Sequence, residues 1–333
     1  MKHFLRTGAA ALLLIVLVSL PATAVTIKVG SIAPEGSPWD RALKKIASEW
    51  NGISGGRLNL KIYPGGIVGS ESDMTRKLKI GQIQGAIFTG VGLSYTRAEV
   101  ISLSLPFLVD NDDELEYLLQ KITPYFDTLI EEKGLTVVSW TKAGWVNLFS
   151  KKPVVRPNDL KKMPLAVSES DPEMLQSWRS IGFNAVPLST NDQMTALQSG
   201  MIEAFYAPPL VTAAFQWFGI AKNMADLRIA PMIGGFVVSN KTWNEIPDDI
   251  KPRLRDATQQ VLKDLYDETY SLEKEAIEVM KKNGLVVNNV PREAVLLWKK
   301  EAEKGYDAFL GRTFPTSLYI QLQNYIQEYR KRR

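Results

Sequence analysis

Carboxylates are the side chains from which this 333-residue chain could build a reactive centre, because little else is available. It has no cysteine and a single histidine, His3, close to the amino terminus. The body of the chain therefore has no thiolate nucleophile, no Ser-His-Asp triad, no imidazole proton shuttle and no soft metal ligand. Paired acids remain. Asp171 with Glu173, and Asp192 with Glu203, are the pairs a carboxylate-based hydrolase would draw on. Nothing in the sequence sets either pair across a common cleft, and Asp192 reads as first-turn charge that a helix dipole favours. The run Asp110–Glu114, "DNDDE", offers oxygen ligands for a cation, yet it also has the composition of a helix N-terminus. No catalytic residue, metal or cofactor is assigned from these patterns, and no enzyme activity is expected.

Charge and composition narrow the field further. Lys2 and Arg6 precede an apolar run, Ala9 to Val18, and Ala22-Thr23-Ala24 follows with small residues, which is the pattern of a secretory leader cleaved after Ala24. The run is shorter than the ~20 apolar residues of a membrane-spanning helix. No cysteine stands at the cleavage point to carry a lipid anchor, so an exported, unanchored protein is expected. Setting Lys2 and Arg6 aside leaves 38 basic residues against 36 acidic ones, scattered rather than gathered into a stripe, so no nucleic-acid partner is expected. An apolar share of 45% and a charged share of 23% are those of a chain that folds throughout, and its length suits two domains.

The elements that would position a site alternate. "VTIKVG" reads as a strand, "PWDRALKKIASEW" as a helix capped by Ser37, and "RLNLKIY" as a second strand. A helix over "SDMTRKLKIGQ", a strand at "GAIFTG", a long helix over "DDELEYLLQKITPYFDTLIEEKG" and a strand at "LTVVSW" continue the order. From Gly144 the pattern restarts: "WVNLFSKKPV" and "PLAV" are strands, "DPEMLQSWRSIG" and "TNDQMTALQSG" helices, and "MIEAFYAP" a strand. Strand–helix alternation with glycine turns predicts an α/β fold with a largely parallel sheet. A helical stretch from about Pro247 to Lys282 would reach ~54 Å, longer than one small domain, and is placed along both units as a spine.

The segments "GRLNLKIYPGGIVGSES", "LSLPFLVDNDDE", "RPNDLKKMPLAV", "GFNAVPLSTNDQMTALQSGMIEAFYAPP" and "FVVSNKTWNEIPDDI" occur in an order and spacing that resemble the solute-binding proteins of tripartite ATP-independent periplasmic (TRAP) transporters. The resemblance covers essentially all of the chain after the leader. It implies a periplasmic, two-lobed binding protein with crossing hinge strands and a long helix spanning both lobes. A ligand would close the cleft, and the closed form would dock on membrane permease subunits. The domains expected are a leader over 1–24, lobe I over 25–143 with about 232–262, lobe II over 144–231 with about 263–310, and a C-terminal helix over 311–333 packing on the lobes.

The departures bear on the ligand. Members of the family carry an arginine on the strand after "DLKG" that pairs with a ligand carboxylate, a geometry the planar guanidinium favours. That position is Ala166 here. A second arginine of some members aligns with Val146, and an asparagine of others with Ala207. An organic acid held here without a partner would leave a desolvated charge, costing several kcal/mol. An apolar or amphipathic, lipid-like ligand is the expectation, and the departure also resembles a subclass that works with a periplasmic tetratricopeptide-repeat protein. The cleft candidates are Phe88, Trp145, Val146, Ala166, Leu188, Phe205, Tyr206, Ala207, Trp217 and Phe236, although aromatic residues of this kind are commonly core. The alternative is a polar organic acid held from elsewhere, by Lys142, Arg179, Asn147 or Glu71.

Overall fold

Ser37 and Pro38 start the first helix as expected, the Ser37 side chain accepting from the Asp40 N–H. In a computed structural model, residues 24–169 and 171–332 are described, so the leader lies, apart from Ala24, outside the described residues. β1 (Val25–Gly30), α1 (Pro38–Ile53), β2 (Leu58–Tyr63), α2 (Glu71–Lys79), β3 (Gly85–Thr89) and α3 (Gly90–Ser94) open the chain. A 3-10 turn over Ala98–Ser104 leads to α4 (Asp112–Glu131) and the long β4 (Leu135–Ser150). Then come α5 (Pro157–Leu160), β5 (Leu165–Ser168), α6 (Pro172–Ser180), β6 (Ala185–Leu188), α7 (Gln193–Ser199), β7 (Ala204–Ala207) and α8 (Pro209–Ala214). The chain ends with β8 (Asn223–Asp226), β9 (Ala230–Ser239), α9 (Asn240–Glu245), α10 (Lys251–Lys282), β10 (Val286–Asn289), α11 (Arg292–Gly305) and α12 (Thr316–Lys331).

The sheet runs in the order β2-β1-β3-β9-β4-β7-β5-β6, with β8 and β10 beside the far end of β4. It is mixed rather than largely parallel. β1, β2 and β3 are parallel to one another, as are β5, β6 and β7, but β9 and β4 cross antiparallel to their neighbours. "LTVVSW" and "WVNLFSKKPV" are one strand, not two. β4 keeps its pairing to β9 from Leu135 to Val146 through a bulge between Lys142 and Trp145, then pairs β7 from Asn147 to Ser150. Gly144 supplies the φ of +101° that the bulge takes, which is why a break was expected there.

That change of partner makes two lobes. One apolar core, built from α2, α4, α6, α11 and α12, runs along one face of the sheet across both lobes. The opposite face is divided: α1, α9 and the first half of α10 cover lobe I, and α7 with the end of α10 covers lobe II. Helix α10 sends Leu254, Val261, Leu262 and Leu265 into the first of these cores and Ile277 and Met280 into the second. In lobe I, Trp50 fills the space between Phe236 and Trp243 and donates its indole N–H to Thr258 on α10 at 2.9 Å, so the ring loses no polar bond on burial.

Candidate functional site

Strand direction places the site. β4 enters the hinge from lobe I and runs parallel to β3, so the C-terminal ends of β1, β2 and β3 point to the hinge. β7 is antiparallel to β4 and ends opposite Asn147, so β5, β6 and β7 also end there. Both lobes thus turn their strand C-termini, and the loops that follow, toward one crevice, the usual position of a ligand in open α/β sheets. In lobe I those loops are tied together by Gly65 N–H to Ala33 O at 2.7 Å and Gly66 N–H to Ser31 O at 2.9 Å, and carry the exposed Ile32 and Ile67. In lobe II the corresponding ends carry Asp171 after β5, half-buried Leu188 closing β6 and Met194 at the start of α7, and Ala207 closing β7.

The ten candidates separate by depth. Val146, at the β4 handover, packs in the long core, whereas Ala207 at the end of β7 and Ala166 on β5, one strand further out, pack in the lobe II core on the opposite face; all three are buried and without a hydrogen-bonding side chain. Leu188 closes β6, and Tyr206, half-buried on β7, has its hydroxyl pKa pushed up by burial and by the Asp171 charge. Phe236 is different: it packs against Trp50 with no exposed surface, on the lobe I face away from α4. Phe205 is enclosed between Phe149 and Trp217, at 5.4 and 5.3 Å between ring centres, and Phe88 is buried in the long core. The Trp145 indole N–H donates to Asp112 Oδ1 at 2.9 Å, which fixes that ring at the hinge.

The polar residues offered as substitute anchors are each engaged. Lys142 pairs with Glu116 at 2.8 Å and lies over the Tyr266 ring at 4.2 Å. Arg179 donates to Ala185 O, and Asn147 donates to the carbonyls of Ala225 and Leu227. Glu71 accepts from the Thr89 N–H and hydroxyl, and burial still raises its pKa. The acid pairs form no catalytic couple: Asp171 and Glu173 share the first turn of α6, where the Glu173 charge adds to the rise that burial gives the Asp171 pKa, and Asp192 and Glu203 stand apart. Asp171 accepts from the Met174 N–H at 3.0 Å as the cap of α6, with burial raising its pKa to about 6. Asp192 follows the hinge end of β6, whereas Glu203 precedes β7 at the strand's other end. In "DNDDE", Asp110 and Glu114 pair with Arg330, and Asp112 is bonded to Trp145, Tyr266 and Arg228. No group of three or more His, Cys, Asp or Glu among the described residues could hold a metal ion.

Sequence reading singled out Asp112 only within the acidic run Asp110–Glu114 and missed Arg228, Tyr266 and Glu273, which join it in a polar cluster at the hinge. The signal was available in α10, whose apolar face is interrupted between Leu265 and Ala276. Burial there raises the Glu273 pKa to about 7; Arg228 opposes the rise and Asp112 adds to it.

Residues 29–312 match the DctP family, bacterial extracellular solute-binding protein, family 7. The chain belongs to this family. It is 24% identical over 303 residues to the sialic acid-binding periplasmic protein SiaP of Vibrio cholerae, covering 89% of this chain and 92% of that one. A solute-binding protein of Chromohalobacter salexigens is 23% identical over 90% of this chain and 89% of its own length. Among solved structures, a TRAP periplasmic solute-binding protein from Desulfovibrio salexigens with bound orotic acid superposes with a TM-score of 0.84, at 20% identity over 91% of this chain and 99% of that one. One from Xanthobacter autotrophicus with bound β-D-galacturonate gives 0.81, at 19% identity over 90% and 99%. The DctP family member described here therefore has the two-lobed TRAP binding-protein fold. No helix among its described residues is long and apolar enough to cross a membrane.

Proposed function

We propose that this protein is the periplasmic solute-binding subunit of a TRAP transporter, that it captures an apolar or amphipathic ligand between its lobes, and that it delivers this ligand to membrane permease subunits. The observation that carries the ligand class is the burial of Val146 at the β4 handover and of Ala207 and Ala166 on β7 and β5, with Lys142, Arg179, Asn147 and Glu71 each already bonded within the chain. A carboxylate placed at Ala166 would meet no cation there, and an unpaired buried charge is costly. Burying ~300 Å² of ligand apolar surface contributes about 7.5 kcal/mol gross. Association costs remove part of that, leaving micromolar to submillimolar binding within reach.

A second reading keeps an organic acid as the ligand. It is favoured by the helices that follow β1, β2, β5 and β6, whose N-termini point toward the crevice and whose dipoles suit an anion. The names of the relatives, a sialic acid-binding protein and structures holding orotic acid or galacturonate, lean the same way. Native mass spectrometry of the protein purified from its periplasm separates the two. A fatty or otherwise lipophilic molecule released from the cleft is the expected result. Recovery of a dicarboxylate or uronate, with a thermal shift by that acid and none by medium-chain acids or alcohols, would overturn the apolar reading.

A further inference from the structure

At the bend of β4 lies a half-buried acid of α10, Glu273, that solute capture does not use. Gly144 sits at the bulge with φ of +101°, and a Cβ built there would lie 2.3 Å from Glu273 Oε1. The carboxyl of the spine helix thus rests directly on the hinge backbone. Its Oε1 finds no hydrogen-bond partner among the described residues, and neither does the Thr269 hydroxyl, one turn earlier on α10, or the Thr141 hydroxyl on β4. The charges that act on it are Asp112 of α4 and Arg228 of the turn before β9, which pair with each other at 3.3 Å. The other titratable groups on the elements around it are engaged with one another: Lys142 of β4 with Glu116 of α4 and over the Tyr266 ring, Tyr266 of α10 with Asp112, and Lys274 over the Tyr270 ring on α10. Helix α8, which also packs on α10, has no titratable side chain.

We propose that Glu273 is a proton-operated latch on the hinge: protonated, its carboxyl seats against Gly144 and holds the bend of β4 described here, and ionised, it leaves that seat for solvent and releases the hinge. A neutral carboxyl tolerates a seat without a donor, whereas an ionised one there pays desolvation without compensation. Asp112 and Arg228 set the point of release in opposite senses, because the first disfavours the ionised form and the second favours it. Two states that differ in their affinity for one proton change their ratio by up to tenfold per pH unit between their two pKa values. The proposal rests on the lobes moving about β4 and not on the ligand class, so a ligand-free measurement tests it separately.

The absence of cysteine allows a clean label pair, Lys79→Cys on α2 in lobe I and Gln198→Cys on α7 in lobe II, both exposed. Pulsed dipolar EPR on the ligand-free mature protein, from about pH 5 to about pH 9, reads the ratio of inter-lobe distances. The ratio is expected to titrate near neutral pH, and Glu273→Gln is expected to hold the low-pH ratio throughout. Asp112→Asn should move the midpoint down and Arg228→Gln should move it up. A ratio constant across the range, or a Glu273→Gln variant that titrates as the parent does, would overturn the latch. If Glu273→Gln does not fold, midpoints of the other two variants that fail to move in opposite directions overturn it equally.

Discussion

Two places along β4, a few residues apart, are built from opposite materials. At Val146, at Ala207 on the neighbouring β7 and at Ala166 on β5 beyond it, the side chains are small or apolar and buried. At Lys142 to Trp145, the same strand is surrounded by Asp112, Glu116, Arg228, Tyr266 and Glu273. Polar chemistry is not scarce near the crevice; it gathers on the bend and is absent from the three positions at which the proposed function places the ligand. A charge at the bend can be matched by other fixed groups of the chain. Under the proposed function, a charge at those three positions would be matched by the ligand, and so would select it.

The sharpest way to break this contrast is to put a charge back. Ala166→Arg is expected to destabilise the ligand-free protein by about 3–5 kcal/mol if the guanidinium stays buried without a partner. It should also abolish binding of any lipophilic ligand. Thermal unfolding with and without a uronate or dicarboxylate checks this. Full stability without an acid would mean that the position is open to solvent, and the apolar reading of Ala166 would lose its basis.

Removing charge from the bend is the converse. Asp112 accepts from Trp145 and Tyr266 and pairs with Arg228 at 3.3 Å. Asp112→Asn keeps the shape but loses the charge, and about 1–3 kcal/mol of stability should go with it. Chemical denaturation at neutral pH measures the loss. An unchanged midpoint would reduce the cluster to a solvated surface feature.

Glu273 sharpens the comparison through its pH dependence. Its folded pKa, about 7, is above the ordinary glutamate value, so the folded state holds the proton more tightly than the unfolded one. For an acid raised in this way, stability is highest below the unfolded pKa and declines as pH rises until the folded pKa is passed. Replacing it by Gln should therefore stabilise the protein more at about pH 8 than at about pH 5, by about 1–2 kcal/mol after allowing for partial solvent contact. Asp171→Asn, which retains a helix cap, should show the same sign with its window ending near pH 6. A difference of the opposite sign in the Gln variant would show that the carboxyl is ionised in its seat.

Much of this architecture is legible in the sequence because local patterns and tertiary demands agree. Ser37-Pro38 before an apolar stripe makes α1, the acids after Asn111 make the first turn of α4, and the spacing of Leu254, Val261, Leu262 and Leu265 makes the spine. The crossing strand was harder. Gly144 breaks the β pattern locally, yet pairing with β9 carries β4 through the bulge, a contact between residues about 90 apart that no short window contains. The short β8 and α8 also went unread, since four and six residues bear little periodicity. Among the site residues, the replacement at Ala166 was visible only through the family pattern. The depth of Phe205 and Phe236 was not visible, because a strand aromatic looks the same whether it faces a crevice or a helix. The Asp112–Tyr266 contact joins residues 154 apart on two helices, and each of them alone is an ordinary helix residue.

The smallest expected effect isolates that contact. Tyr266→Phe removes one hydroxyl, leaves the ring beneath Lys142 at 4.2 Å, and leaves Asp112 Oδ1 still accepting from Trp145 at 2.9 Å. Because the acceptor keeps a donor, only the net value of one bond to a charged group is lost, about 1 kcal/mol. For a chain of this size that corresponds to about 2 °C in Tm. Differential scanning calorimetry of Tyr266→Phe, Asp112→Asn and the double variant measures the coupling directly. Additive losses would mean that the hydroxyl and the carboxylate act apart. A double variant no less stable than Asp112→Asn alone would mean that the phenol belongs to the bend only through Asp112, and that the polar half of β4 is held by one acid.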